Sequence, residues 1–169
     1  MNAVTEVMVA RRSTRRFLPE RAIPRETIAE IIDCARLAPS GNNRQAWIFV
    51  VVTDRETREK IASLARYGRF IAEASACVCV FVDEKSATTP VEDASAATEN
   101  IIIAALSHGI GSCWVNSHHI EHAPRVRELL GVPAEYELLT MLALGYPAEP
   151  PGPIAKKSLE EVLRWERYS

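Results

Sequence analysis

The fold is decided by one stretch of the chain, residues 38–53, which has the sequence APSGNNRQAWIFVVVT. Its second half, 47–53, is rich in β-branched and aromatic residues, which predicts a buried strand. Its first half holds proline, glycine and asparagine, which predict a loop. Small residues let a ligand approach that backbone, and the amides of Asn42, Asn43 and Gln45 can pair with a heteroaromatic ring. An ordinary polar turn between a helix and a strand is the alternative.

Helices and strands are predicted on both sides of this stretch. Upstream, apolar periodicity predicts a short helix over 3–10 and a second helix beginning near Pro24. Downstream, we predict a helix with a capping box at Thr53–Glu56, and the Pro-rich segment 147–153 predicts an extended surface connection. The remaining predictions are strands at about 76–82, 112–116 and 138–144, and helices at 94–108, between Pro124 and Gly131, and from a cap at Ser158 through Trp165. About four strands and five or six helices, without regular β-α-β order, exclude a purely parallel doubly wound sheet.

Composition predicts one globular domain over residues 1–169. The chain is 47% hydrophobic and 25% charged, which excludes a disordered chain. Its net charge of −2 argues against a nucleic-acid partner, and no apolar run is long enough for a membrane helix or a signal peptide. The four cysteines are Cys34, Cys77, Cys79 and Cys113. They form neither a disulfide framework nor a zinc motif, so we expect reduced thiols in a cytoplasmic protein.

The small net charge hides two local imbalances. Residues 11–25 hold six arginines against one acid, whereas residues 73–99 hold six acids against Lys85. An arginine cluster in a chain of balanced charge favours a small anionic ligand over a polyanion, and forked guanidinium donors suit phosphate. The pair Lys156-Lys157 is a candidate second phosphate contact, although a solvated charged surface is the alternative for both segments.

Several familiar catalytic signatures are absent. The sequence has no phosphate-binding P-loop and no nucleophile elbow, and Gly109-Ile-Gly111 lacks the third glycine of a dinucleotide fingerprint. His118, His119 and His122 do not form an H-E-x-x-H motif, so we expect surface or site-rim histidines and no metal site.

Four motifs in order resemble the flavin-dependent nitroreductase family: R-R-S-x-R-x-F from Arg11, A-P-S-x-x-N-x-Q-x-W from Ala38, G-I-G-S-C-W from Gly109 and A-L-G-Y-P from Ala143. The similarity extends from about residue 6 to about residue 165. The resemblance implies an α+β fold with a mixed, largely antiparallel central sheet and helices on both faces. It also implies an intertwined homodimer that binds two FMN molecules, tightly but non-covalently, at its interface.

The resemblance also assigns site residues. Phosphate, ribityl chain and flavin edge would be held by Arg11, Arg12, Ser13 and Arg15. The second subunit would line the isoalloxazine ring with Pro39, Ser40, Gly41, Asn43 and Gln45. Backbone N–H groups around flavin N5 would come from Val115, Asn116 and Ser117, and the phosphate site would be completed by Lys156 and Lys157. Ala46 stands where the family often has proline, a ribityl contact near Arg66 or Tyr67 has no clear match, and the short segment from Val82 to Ala94 implies an open substrate pocket.

The implied function is an FMN-dependent NAD(P)H oxidoreductase of nitroreductase type. NADH or NADPH would reduce the flavin, and a nitroaromatic, quinone or similar small acceptor would reoxidise it in a ping-pong reaction through N5. Because the flavin carries the chemistry, no catalytic protein residue is expected. The alternatives keep the fold but change the chemistry to a dehalogenase, flavin-destroying or azoline-oxidase type, or reduce the role to a non-enzymatic flavin- or nucleotide-binding module.

Overall fold

A computed structural model describes residues 2–150 and 152–168 and confirms the predicted α+β class. Four strands form one sheet: β1 (Trp47–Val52), β2 (Ala76–Asp83), β3 (Gly111–Asn116) and β4 (Tyr136–Gly145). The helices are α1 (Ala3–Ala10), α2 (Arg25–Arg36), α3 (Arg55–Leu64), α4 (Pro90–Ser107), α5 (Ala123–Leu129) and α6 (Leu159–Val162). Short 3-10 turns lie at Gly41–Asn43 and Arg69–Ala72.

The strand order is β1-β2-β4-β3, and every pairing between these strands is antiparallel. The central strands β2 and β4 are buried almost throughout, whereas β1 and β3 form the two edges. The described residues add one parallel contact, an isolated bridge between Ser13 and Ser112. The N-terminal arginine segment therefore lies against the β3 edge.

Helices cover both faces of the sheet, as predicted. On one face, Ile31 of α2 and Ile101 of α4 belong to the same apolar cluster as Val80 and Leu142 of the sheet. On the other face, Ile61 of α3 packs in a second cluster with sheet residues such as Phe81 and Met141. Complete burial of such a side chain stabilises the fold by about 1.5–3 kcal/mol. Successive strand residues point to opposite faces, so Cys77 and Cys79 share the second face, where both are buried and free.

Three helix boundaries differ from the predictions for local reasons. The N-cap of α3 is Asp54 rather than Thr53. The Asp54 carboxylate accepts the backbone N–H of Thr57 at 2.8 Å and the side-chain hydroxyl of Thr57 at 2.7 Å. These hydrogen bonds lower the pKa of Asp54. Helix α4 begins at Pro90, four residues before the predicted start, because proline fits the first helical turn. The Ser158–Glu161 capping box is confirmed, but α6 ends after one turn, so Trp165 lies beyond it.

The two ends of the chain contribute little to the core. Helix α1 has no buried residue, and residues 152–168 are exposed throughout. The described part of the Pro-rich segment has no helix or strand, as predicted, and its Pro151 lies outside the described residues. Within the described ranges, no helix is both long and apolar enough to cross a membrane.

Candidate functional site

Backbone contacts with β3 hold the arginine segment in place. The Thr14 N–H donates to the Ser112 carbonyl at 2.8 Å, and the Thr14 side chain is buried against Gly111. A Cβ atom at Gly111 would lie only 2.5 Å from Thr14 Oγ1, so this close approach requires glycine. The arginines on either side of Thr14 are thereby fixed along the edge of the sheet.

A cavity of about 460 Å³ adjoins this segment. Residues 11–16 form one wall, and Glu149, Pro150 and residues 152–154 form the other. Arg16 pairs with Glu149 at 3.2 Å, and Arg12 donates to the carbonyl oxygens of Val9 and Arg11 at 2.8 Å. Arg11 and Arg15 form no ion pair within residues 2–150 and 152–168, so both guanidinium groups can meet an anion.

A second cavity, of about 620 Å³, shares Arg15 with the first. Residues 113–116 of β3 form its floor, and Arg66, Tyr67 and Ile120 stand at its sides. The structure therefore brings Arg15, Val115 and Asn116 to one continuous cleft. Arg66 and Tyr67, near which no clear match for a ribityl contact was found in the sequence, also line this cavity.

Only one of the three predicted backbone donors is directed at the open edge of β3. The Ser117 N–H already donates to the Leu139 carbonyl at 3.1 Å. Alternate residues of an antiparallel edge strand point inward and outward, so Val115 also directs its N–H at β4. The backbone groups of Ser112 point away from β4, because its carbonyl accepts the Thr14 N–H. Asn116 lies four residues further along the strand, so its N–H also points away from β4.

Two buried groups near the cleft are neutral at physiological pH. Burial lowers the pKa of His122, whose Nε2 lies 3.0 Å from Ser117 Oγ. Burial also raises the pKa of the Cys113 thiol, and this effect outweighs the opposing influences of Arg15 and Ser13. Neither side chain therefore provides a charged nucleophile or acid in this cleft.

The amide-rich loop, residues 39–45, is held by a carboxylate that sequence reasoning did not identify. Asp93 of α4 is 3% exposed, and its Oδ1 accepts the Gly41 N–H at 2.9 Å and the Thr89 hydroxyl at 2.7 Å. Its Oδ2 is buried without a hydrogen-bond partner among the described residues. Because Gly41 and Asp93 are 52 positions apart, no local pattern could reveal this contact.

The loop has an unusual backbone that presents its amides outward. Asn42, Asn43 and Gln45 all have positive φ angles, of 52°, 55° and 50°. Asparagine tolerates this left-handed region better than most residues. The Gln45 N–H donates to Ser40 Oγ at 3.1 Å, which closes the loop and leaves the Asn42 and Asn43 side chains exposed.

The predicted site residues thus fall into separate groups within one chain. The loop 39–45 precedes β1 at one edge of the sheet, which we call the loop edge. Residues 11–16 lie against β3 at the opposite edge, which we call the arginine edge. Three strand spacings separate the edges by about 14 Å. Neither cavity of the arginine edge is lined by a residue of 39–45. Lys156 and Lys157 follow the lining residue Ile154 but are exposed and lie outside the cavity wall.

Comparison with known proteins identifies close relatives. Residues 8–73 and 63–146 match the model of the Nitroreductase family. A protein of Archaeoglobus fulgidus with the provisional name NADH dehydrogenase/NAD(P)H nitroreductase is 39% identical over 154 residues, which cover 88% of each chain. The solved structure of an FMN-dependent nitroreductase from Clostridium difficile R20291 has a TM-score of 0.89 and 26% identity, over 96% of this chain and 98% of that one. Human iodotyrosine deiodinase 1 is 28% identical over 85% of this chain and 61% of its own length.

Proposed function

This chain belongs to the nitroreductase family, and from that membership we propose that it is an FMN-dependent NAD(P)H oxidoreductase that acts as a homodimer. Its acceptors are nitroaromatics, quinones or similar small molecules. Residues 1–169 are one FMN-binding domain, and the free cysteines fit a cytoplasmic location. The observation that carries the proposal is the division of the predicted site between the two edges of one sheet.

The arginine edge fits the phosphate of FMN. Arg11 and Arg15 offer forked donors without competing acidic partners in the described part of the chain, and Ser13 adds a hydroxyl. Arg12 is partly committed to backbone carbonyl oxygens, so its role is to extend the positive field. Lys156 and Lys157, in the exposed tail, would complete the phosphate site.

The loop edge of a second chain fits the isoalloxazine ring. Pro39, Ser40 and Gly41 present a small-residue surface, and the amides of Asn43 and Gln45 match the ring's polar edge. On the first chain, Val115, Asn116 and Ser117 form the strand exit below the ring. Of these, Asn116 is the residue whose N–H faces outward, so we assign it the contact near N5.

Exposed apolar residues support a dimer. Val4, Met8 and Val9 of α1 are each more than half exposed, and the tail residues Leu159 and Trp165 are 70% and 74% exposed. A second chain that covered these side chains would remove their apolar surface from water. An exposed N-terminal helix and an exposed tail fit an intertwined pair in which each chain covers the other.

The protein's own residues act by binding and orientation. FMN, when bound, would supply two-electron hydride chemistry between NADH or NADPH and the acceptor. Arg11 and Arg15 hold the phosphate, the Asn116 N–H supports negative charge at the ring, and the loop excludes water from one face. A neutral Cys113 and a neutral His122 are consistent with a site that has no protein nucleophile.

The test is anaerobic titration of the purified, flavin-loaded protein with NADH and with NADPH. We expect the visible absorbance of oxidised flavin to bleach with at least one donor and to return when a nitroaromatic or quinone is added. Flavin that stays oxidised with both donors would contradict the reductase and leave a binding module.

Reductive dehalogenation is a second candidate, favoured by the similarity to iodotyrosine deiodinase over 85% of the chain. The open cleft beside Tyr67 could admit a halogenated phenol. The same reduced protein would then release iodide from an iodinated phenol. Iodide release with no nitro or quinone reduction would replace the first proposal with this one.

A further inference from the structure

Three potential metal ligands meet at the end of β3 opposite the arginine segment. Glu84 lies in the turn after β2, and His118 and His119 follow β3. One ligand atom from each side chain lies within 4.8 Å of the other two. We propose that Glu84, His118 and His119 form a binding site for a divalent transition metal of the zinc class, beside the exit of β3 and apart from the arginine segment.

The spacing of these atoms suits a small cation. Zinc binds imidazole nitrogen and carboxylate oxygen at about 2.0–2.2 Å in tetrahedral geometry, which places neighbouring ligand atoms about 3.4 Å apart. His118 Nε2 lies 3.2 Å from Glu84 Oε1. The two imidazole rings are 3.7 Å apart between centroids, and the exposed His119 side chain can turn to complete the site.

The backbone holds the ligands before any metal arrives. The N–H groups of Ser117 and His118 both donate to the Leu139 carbonyl at 3.1 Å, which ties the histidine segment to the sheet. Asp83 accepts the Lys85 N–H at 3.0 Å, which closes the turn around Glu84. His119 has a φ angle of 55°, and this left-handed conformation places its ring beside that of His118. With the backbone held in this way, metal binding has only side-chain rotation to order.

The ligand set and the local charge define the class of metal. Two imidazoles with one carboxylate favour Zn²⁺ and its neighbours in the transition series over Mg²⁺, which prefers oxygen ligands. Asp83, which precedes Glu84 in the chain and closes the same turn, adds a negative charge that attracts a cation. Three protein ligands leave a coordination position for water or another molecule.

The sequence could not identify this trio. The nearby His122 is buried, with its Nε2 3.0 Å from Ser117 Oγ, and is not a member of the cluster. The third ligand, Glu84, lies 34 positions upstream of His118 and is brought there by the pairing of β2 and β3 with β4.

An ordinary contact between a histidine and a glutamate is the competing interpretation, and the chain contains a matched example. His108 Nε2 lies 3.5 Å from Glu30 Oε2 on α2. Among the described residues, this pair does not belong to a cluster of three potential metal ligands. His108→Ala is therefore a control that removes a comparable surface pair.

The test is calorimetric titration of the full, untagged, flavin-loaded protein with zinc chloride. We expect one zinc ion per chain, with affinity weakened by on the order of tenfold or more in His119→Ala and in Glu84→Gln, and unchanged in His108→Ala. An excess of Mg²⁺ should not displace zinc. Absence of saturable binding, equal affinity in His119→Ala, or displacement by Mg²⁺ would each overturn the proposal.

Thermal denaturation provides a second readout that separates metal binding from folding. Without zinc, the variants should melt at the wild-type temperature, because Glu84 and His119 are exposed. With zinc, the melting temperature should rise in the wild type and in His108→Ala but not in His119→Ala, since a ligand that binds only the folded state stabilises it. A zinc-dependent rise of equal size in His119→Ala would contradict a three-ligand site.

Discussion

The two edges of the sheet carry different parts of the proposed site and are built in different ways. At the β3 edge, positive charge comes from half-buried and exposed arginines on a segment that the Thr14–Ser112 backbone hydrogen bond holds against the strand. At the β1 edge, the loop 39–45 is held by the buried carboxylate of Asp93, which accepts the Gly41 N–H. Charge can act from side chains that retain some freedom, whereas a surface that must fit a flat ring needs rigid support.

This difference predicts different consequences for mutation. Changes at the arginine edge should weaken flavin binding with little effect on folding, because those side chains contribute little to the core. Changes beneath the loop should lower stability as well as binding, because they leave buried polar groups without partners.

The largest effect on flavin affinity is expected for Arg11→Ala. Loss of a charge-assisted hydrogen bond costs about 1.5–3 kcal/mol, which corresponds to roughly ten- to hundredfold weaker binding. FMN titration followed by fluorescence quenching measures this affinity. The control is Arg16→Ala, whose side chain is 73% exposed and already paired with Glu149. Full flavin occupancy of Arg11→Ala in dilute solution, or equal losses in the two variants, would show that the phosphate lies elsewhere.

Asp93→Ala should affect the other edge through stability. It leaves the Gly41 N–H and the Thr89 hydroxyl without their acceptor, so the free energy of unfolding should fall by about 1–3 kcal/mol. Flavin affinity should also fall, but less than in Arg11→Ala. Urea denaturation measures the first quantity, and Glu92→Ala, which alters an exposed acid in the same helical turn, is the control. Wild-type stability in Asp93→Ala would remove the structural contrast between the edges.

The smallest effect is a pH dependence at the β3 edge. Burial lowers the pKa of folded His122 below its ordinary value of 6.5, so the unfolded chain binds more protons as the pH falls below that value. The contribution of His122 to the free energy of unfolding should be complete above about pH 6.5. It should be lost as the pH falls from there to the lowered pKa, by at most about 1.4 kcal/mol for each pH unit.

Urea denaturation between pH 7.5 and pH 5, in steps of about half a unit, measures this slope. His122→Gln should show a shallower acid decline even though its stability at neutral pH is lower. An identical slope in the two proteins would assign the acid decline to other groups.

Local chemistry predicted most of the secondary structure. The predicted strand at 47–53 is β1 (Trp47–Val52), the Ser158–Glu161 capping box forms, and the sheet is not the purely parallel one that regular β-α-β order would demand. Its largely antiparallel character was implied by the family resemblance. The errors were also local: two adjacent residues, Thr53 and Asp54, can both cap α3, and the carboxylate that reaches Thr57 does so.

The residues of the proposed site could be nominated from the sequence, but their arrangement could not. A guanidinium group suits phosphate and an amide suits the polar edge of a ring, so Arg11 and Asn43 could be proposed from residue type. The Asp93–Gly41 contact and the cluster of Glu84 with His118 depend on strand order, which brings distant positions together. No spacing within the sequence encodes such contacts.

The central claim is that each flavin site combines the arginine edge of one chain with the loop edge of another. Two variants that damage one edge each allow a direct test: Arg11→Ala, and Gly41→Val, whose side chain would collide with Thr89. Each homodimer should bind FMN poorly. Co-expression with two different affinity tags allows purification of the mixed dimer.

In the mixed dimer, one site carries both defects and the other site carries none. We expect FMN titration of that dimer to reveal one site of wild-type affinity for every two chains. A mixed dimer that binds FMN as poorly as both parent variants would show that the two edges act within a single chain, and would contradict the shared site.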